Sequence, residues 1–214
     1  MPSSRSIAVA ARVVPGATIV RRLAIVLLLA AGTTDAATPS DPVYRIDPER
    51  TMSGFSVNEL GLWQRTGHFG RTRGQIRYDA DAESGGIDLA VDAASVDTGW
   101  SLRDDFVRGE HMLDAARHPQ FRFHSTALRF DAHRLVAVDG LLTLRDVTLP
   151  VRFHVTAVRC EAPRAGGGER CDAAISGSIS RRAFGMDFAY PLIGDEVRFD
   201  FAVSADRAAD AMPR

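Results

Sequence analysis

Beyond residue 40 the chain alternates apolar and polar residues, and that period of two restricts it to strands with one buried face. Ile87, Leu89 and Val91 alternate with Asp88, Ala90 and Asp92. Val151, Phe153 and Val155 alternate with Arg152, His154 and Thr156. Val197, Phe199, Phe201 and Val203 alternate with Arg198, Asp200, Ala202 and Ser204. Shorter runs around Phe55, Phe121 and Ile175 repeat the pattern. Turn-forming clusters separate the runs: Ser84-Gly85-Gly86, Asp131-Ala132-His133, Arg145-Asp146 and Gly194-Asp195. Short strands punctuated this way predict an all-β, antiparallel sandwich or barrel. A closed barrel of about eight strands has an interior that side chains can fill or that can hold one small ligand. Periodicity alone leaves both possibilities open.

One segment departs from the pattern. Leu102, Phe106, Val107, Met112 and Leu113 fall at near-helical spacing, which predicts one short helix within Ser101 to Ala116. Ser101 is the expected N-cap, with Asp104 three positions on. Pro119 ends the segment. The final residues, from about Asp206, are expected to fray.

The chain starts with a different kind of signal. Arg21-Arg22 precede an apolar run from Leu23 to Ala31, and small residues follow from Gly32 to Ala37. That order predicts a secretory signal peptide over residues 1–36 and a mature single domain over 37–214, placed in the periplasm or secreted. The run is roughly half of the ~20 residues that a spanning helix needs, so no stable membrane anchor is expected. Loss of residues 1–36 removes four Arg and one Asp and leaves a mildly acidic chain, which argues against nucleic-acid binding. All 26 basic residues are arginine.

Two cysteines, Cys160 and Cys171, flank a Pro/Gly-rich turn. An even pair in an exported chain predicts a disulfide across a hairpin. Two Cys do not fill a tetrahedral zinc site, and the six His stand at no metal-ligand spacing. There is no G-x-S-x-G nucleophile elbow. The expectation is therefore a protein without cofactor or metal and not an enzyme.

Several motifs, in order, resemble the YceI-like family of exported proteins. They are Tyr44-Arg45-Ile46-Asp47-Pro48, Phe55-Ser56-Val57 with Leu60-Gly61, Gly67-His68-Phe69, and Ala94 to Gly99 leading to Arg103-Asp104. Gly140 to Val151 and Ser180 to Met186 complete the set, followed by Gly194-Asp195-Glu196-Val197. The resemblance implies a lipocalin-like barrel that binds a polyisoprenoid or related amphiphilic lipid, such as an isoprenoid quinone or a prenyl phosphate, as a monomer or homodimer. It also implies the subgroup with a bridged cysteine pair. The alternatives are a small exported enzyme using the same cavity, or a ligand-free, stress-linked interaction protein.

On that reading Phe55, Phe69, Phe121, Phe123, Phe153, Phe184, Met186 and Phe199 line the space for an apolar tail. Arg103 and Asp104 at the helix start, and Arg181 before the Phe184-Gly185-Met186 turn, are the candidates for a polar head group. Arg103 and Asp104 equally suit capping and ion pairing that fix the helix. Arg181 and Arg182 are expected on alternate faces of a strand. Glu59 and Phe106 stand where the family often has histidine, so Phe106 marks the polar end of the site.

Overall fold

Why eight strands can close into a ring is clearest in the last of them. The structure is a computed structural model that describes residues 41–162 and 168–208. The expected signal peptide over 1–36, part of the turn between the cysteines, and residues 209–214 lie outside the described residues. The strands are β1 (Val43–Ile46), β2 (Met52–Glu59), β3 (Trp63–Phe69), β4 (Thr72–Asp79), β5 (Ser84–Asp92), β6 (Val96–Asp97), β7 (Gln120–Asp131), β8 (Arg134–Leu144), β9 (Val147–Glu161), β10 (Arg170–Ser180) and β11 (Ile193–Arg207). Among the described residues a single α-helix, α1 (Ser101–Arg108), follows β6.

All pairings are antiparallel, and the ring runs β1-β4-β5-β7-β8-β9-β10-β11 and back to β1. β11 closes it by pairing with three strands. Glu196 to Asp206 run beside β10, the C-terminal end pairs with β1 (Tyr44 opposite Arg207), and the earlier part pairs with β2 (Phe199 opposite Phe55). Of the segment expected to fray, Asp206 and Arg207 belong to the sheet, because they find backbone partners in β1. β1 and β2 lie end to end along β11 with a bend between them. The bend at Asp47 to Thr51 is latched to β11: the Asp47 N–H and the Thr51 hydroxyl donate to the Ser204 carbonyl, and the Ser204 N–H donates back to Thr51 Oγ1.

Past the bend, β2 carries β3, and β3 carries the short β6. The wall thus divides at this end into the β4-β5 side and the β2-β3-β6 side. Inside the division the buried Ser53 and Thr72 hydroxyls bond each other at 2.7 Å, so neither is left unpaired.

The inward face is a run of phenyl rings. Phe69 meets Phe121 edge-on at 4.8 Å, Phe123 meets Phe153 at 5.5 Å, and Phe199 stacks on Phe201 at 5.4 Å. Three of the rings lie over cross-strand glycines. A Cβ on Gly67 would come 2.5 Å from the Phe55 ring, and one on Gly140 or Gly177 would come 2.4 Å from Phe123 or Phe153. The large-over-small pairing lets bulky rings fit a narrow barrel without displacing the backbone.

Tight hairpins turn the strands. Ala132 and His133 both take positive φ between β7 and β8, in a loop where Gly or Asn is the usual choice. Cys160 and Cys171 face each other in register on β9 and β10 and form the expected disulfide. Among the described residues no helix is long and apolar enough to cross a membrane.

Candidate functional site

α1 covers one end of the barrel, and two ion-dipole anchors hold it there. At its start, the Asp104 carboxylate accepts from the Thr98 N–H and hydroxyl at 2.7 Å each. At its end, Arg108 donates to the carbonyls of Ala94 (2.9 Å) and Val96 (2.8 Å) and pairs with Asp105 at 3.0 Å. Trp100, not Ser101, occupies the N-cap position, and no side chain caps the helix there. The helix is also shorter than the apolar spacing implied. It stops at Gly109, and the chain continues in turns to Arg117, where Asp114 takes a positive φ and accepts from Arg117. Met112 and Leu113 reach the interior from these turns rather than from a third helical turn.

Beneath the helix is a cavity of about 350 Å³. Phe55 and Val57 of β2, Phe69 of β3, Phe121 of β7, and Val197 and Phe199 of β11 form much of its wall. Val107 of α1, with Met112 and Leu113 of the turns after it, forms the opposite side. Polar groups are few: Thr66, Thr98, Arg103, Arg181 and the ion-paired Glu59 and Arg65. A second cavity of about 80 Å³ continues inward, sharing Phe121, Leu144 and Phe199 with the first. A third of about 50 Å³ lies beyond it, between Tyr44, Val155 and Val203. The barrel is hollow under α1 and closely filled toward the other end.

This sorts the residues singled out from the sequence. Phe55, Phe69, Phe106, Phe121, Phe199, Met186, Arg103 and Arg181 border the main cavity. Phe123 and Phe153 border the second. Phe184 is 2% exposed and packs into the core, bordering neither. Asp104 faces away from the cavity and serves as the helix anchor. Thr98 hydrogen bonds hold its carboxyl below the usual range. Arg103 lies over Trp100, 5.2 Å from the ring centroid.

Arg181 and Arg182 do not alternate on a strand. They fall in the turn after β10, where Arg181 is 1% exposed and Arg182 lies over Tyr190 in solvent. The Arg181 guanidinium donates to the carbonyls of Gly194 (2.8 Å), Ile193 (2.8 Å) and Met186 (2.5 Å). Burial lowers its pKa, yet an arginine stays cationic at any ordinary pH. Its first task is to clamp the Met186–Gly194 loop against the barrel end. Nearby Asp195 is pushed up by burial, but hydrogen bonds from the Arg182 N–H and Ser180 hydroxyl outweigh that and leave its pKa lowered.

The cavity's rim is built from residues that the alternation and the motifs do not mark. Trp100 and Leu102 border the cavity while standing largely in solvent, and Phe106 packs on Phe188 at 4.9 Å. The uncapped Trp100-Ser101-Leu102 helix start was the available signal. Cys160, Glu169 and Cys171 lie within metal-ligand distance of one another, but both sulfurs are in the disulfide, which leaves one carboxylate.

Comparison with known proteins agrees with this architecture. The profile of the YceI-like domain matches residues 44–205. A UPF0312 protein of Shewanella sp. (strain W3-18-1) is 27% identical over 173 residues, covering 80% of this chain and 90% of that protein. Among solved structures, BcnA of Burkholderia cenocepacia superposes with a TM-score of 0.62 at 25% identity, over 74% of this chain and 98% of its own. A polyisoprenoid binding domain from Saccharophagus degradans, implicated in plant cell wall breakdown, superposes with a TM-score of 0.58 at 17% identity, over 78% of this chain and 100% of its own.

Proposed function

The chain belongs to the YceI-like family, and on that premise we propose that it binds a polyisoprenoid or similar amphiphilic lipid inside its barrel, without turning it over. The observation that carries this is the cavity of about 350 Å³ beneath α1, within the range of sites that take small apolar ligands. Each buried CH₂ of a tail contributes about 0.8 kcal/mol, so an apolar wall suffices for affinity. The tail runs inward past Phe55, Phe69 and Phe121. The head group stays at the rim, near Arg103 and the Glu59–Arg65 pair. The barrel shared with the Saccharophagus domain, named for polyisoprenoid binding, supports the same ligand class here. Isoprenoid quinones and prenyl phosphates fit the description.

Two carboxylates near this end are unsuited to act as general acids. Asp104 and Asp195 both have lowered pKa values and are tied into hydrogen bonds. That holds them ionised, whereas a general acid needs a pKa near the working pH. The signal-like start and the Cys160–Cys171 bridge support export to the periplasm or beyond, with residues 37–214 as the mature domain.

Native mass spectrometry of protein purified from its host tests the reading. The expected result is a mass increment that matches an isoprenoid lipid and is released by detergent. A bare protein mass, together with no uptake of added isoprenoid quinone or prenyl phosphate, overturns it.

A further inference from the structure

On the outer face of the barrel, arginines occur in pairs with a carboxylate between them. Asp139 accepts from Arg129 Nε and from Arg152 Nη2, each at 2.9 Å. Asp206 accepts from Arg170 Nε at 2.8 Å and from Arg50 Nη2 at 3.2 Å. In both sets the central carboxylate offsets the repulsion of two neighbouring cations.

A third set lacks its carboxylate. Register places Arg73 of β4 opposite Ala90 of β5, and Ala90 opposite Arg122 of β7. One outward row therefore reads Arg-Ala-Arg, with the cations two strand spacings, about 10 Å, apart at the backbone. Among the described residues neither arginine has an ion-pair partner; Arg122 only approaches Gln120 Oε1 at 3.5 Å. The carboxylates on either side of Ala90 are already engaged. Asp88 lies 2.5 Å from His124 Nδ1, and Asp92 lies 2.8 Å from Arg71 Nε. Arg45, Arg73 and Arg122 line one open depression whose single carboxylate is Asp88. The same row continues into Thr143 and Thr148, whose hydroxyls bond each other at 2.8 Å.

We propose that the Arg73–Ala90–Arg122 row is a binding site for a phosphate group, which takes the place that Asp139 and Asp206 fill in the other two sets. Guanidinium forks match phosphate oxygens two at a time, and both side chains are long enough to converge above the Ala90 methyl. A divalent phosphate neutralises two cations where a carboxylate neutralises one. The phosphate belongs either to a soluble phosphorylated molecule or to a lipid head group, and the row recognises the same chemistry in both. The site is on the outer wall and shares none of these residues with the cavity under α1, so it stands whether or not that cavity holds a lipid.

Thermal unfolding of the full chain in phosphate and in chloride, at equal ionic strength, tests the site. Phosphate is expected to raise the midpoint saturably. Arg73→Gln and Arg122→Gln are each expected to weaken the apparent affinity at least about tenfold. Ala90→Asp supplies the missing carboxylate from within, so it should raise the midpoint in chloride and abolish the response to phosphate. Cosedimentation with phosphatidylcholine vesicles containing phosphatidic acid separates the sources. Binding that Arg73→Gln abolishes assigns the phosphate to a head group, and a phosphate response without cosedimentation assigns it to a soluble molecule. Equal midpoints in phosphate and chloride, or a phosphate response that all three variants retain, overturns the proposal.

Discussion

The carboxylate of Asp104 receives two hydrogen bonds from one residue, the N–H and the hydroxyl of Thr98, each at 2.7 Å. Both bonds favour the ionised form. A carboxyl with a lowered folded pKa contributes stability above its unfolded pKa, near 4, and loses that contribution as pH falls through the folded value. Asp104→Asn keeps the shape and removes the charge. Its unfolding midpoint should lie below wild type at pH 7, and the gap should narrow as the pH falls below the unfolded value. Paired thermal melts across that range check this, and equal midpoints at pH 7 would remove Asp104 as the helix anchor.

Asp139 gives a second acid-dependent contribution, on the outer wall. Hydrogen bonds from Arg152 and then Arg129 lower its pKa to about 2. The stabilisation is complete above about pH 4 and fades as pH falls toward 2. Carbon-detected NMR titration of the Asp139 carboxyl should find a midpoint near 2. An ordinary midpoint near 4 would mean that the two arginines do not hold it in solution.

Gly140 is the tightest of the glycines beneath phenyl rings. A Cβ there would meet the Phe123 ring at 2.4 Å and the His124 carbonyl oxygen, which is backbone, at 2.6 Å. Gly140→Ala should cost about 1–3 kcal/mol, the usual penalty for overpacking. At Gly177 the closest contact is the Phe153 ring, and the nearest backbone atom is 3.3 Å away, so the ring can yield and Gly177→Ala should cost less. Urea unfolding of both variants tests the order, and a reversed order would contradict the account.

The Cys160–Cys171 bridge closes a short loop, with a sequence separation of 11. Chain-entropy reasoning gives it roughly 2–3 kcal/mol, exerted on the unfolded state. Reduction, or a Cys160→Ser/Cys171→Ser double variant, should lower stability by that amount while the circular dichroism of the folded barrel stays the same. A loss of strand signal would show that the bridge also holds the β9–β10 hairpin in register.

Val57 faces the main cavity from β2 and is half-buried. Val57→Trp should occupy the space of a ligand tail, eliminate any co-purified lipid and leave the barrel folded. Native mass spectrometry beside a thermal melt reads both effects. Undiminished lipid binding in the variant would move the ligand out of this cavity.

The sheet was legible because its signal is local. Ile87, Leu89 and Val91, or Phe199, Phe201 and Val203, declare an inward face within a few residues. Several features depend instead on partners far along the chain. The alternation around Tyr44 and Phe55 does not reveal that both segments pair with one strand, since the latch is Ser204 on Thr51. Arg181 reads as a solvent or ligand residue because its three acceptors are backbone carbonyls, which no side-chain pattern records. Phe184 and Phe121 look alike in sequence, yet one packs solidly and the other borders open space, a difference set by where the barrel is left unfilled. The helix was visible, but its end was not, because Gly109 and the positive φ of Asp114 outweigh the apolar spacing that continues to Leu113.

The triple pairing of β11 imposes an order in time. Tyr44, in the first described strand, has Arg207, in the last, as its partner, so the ring remains an open sheet with two bare edges until β11 is present. Contacts between such distant positions form late and slowly. A chain threaded through a membrane from its N-terminus would stay unstructured during passage and would shut its barrel only on the far side. Loss of the strand end from Val203 onward would leave β1 unpaired on its β11 side, an exposed edge prone to join another copy.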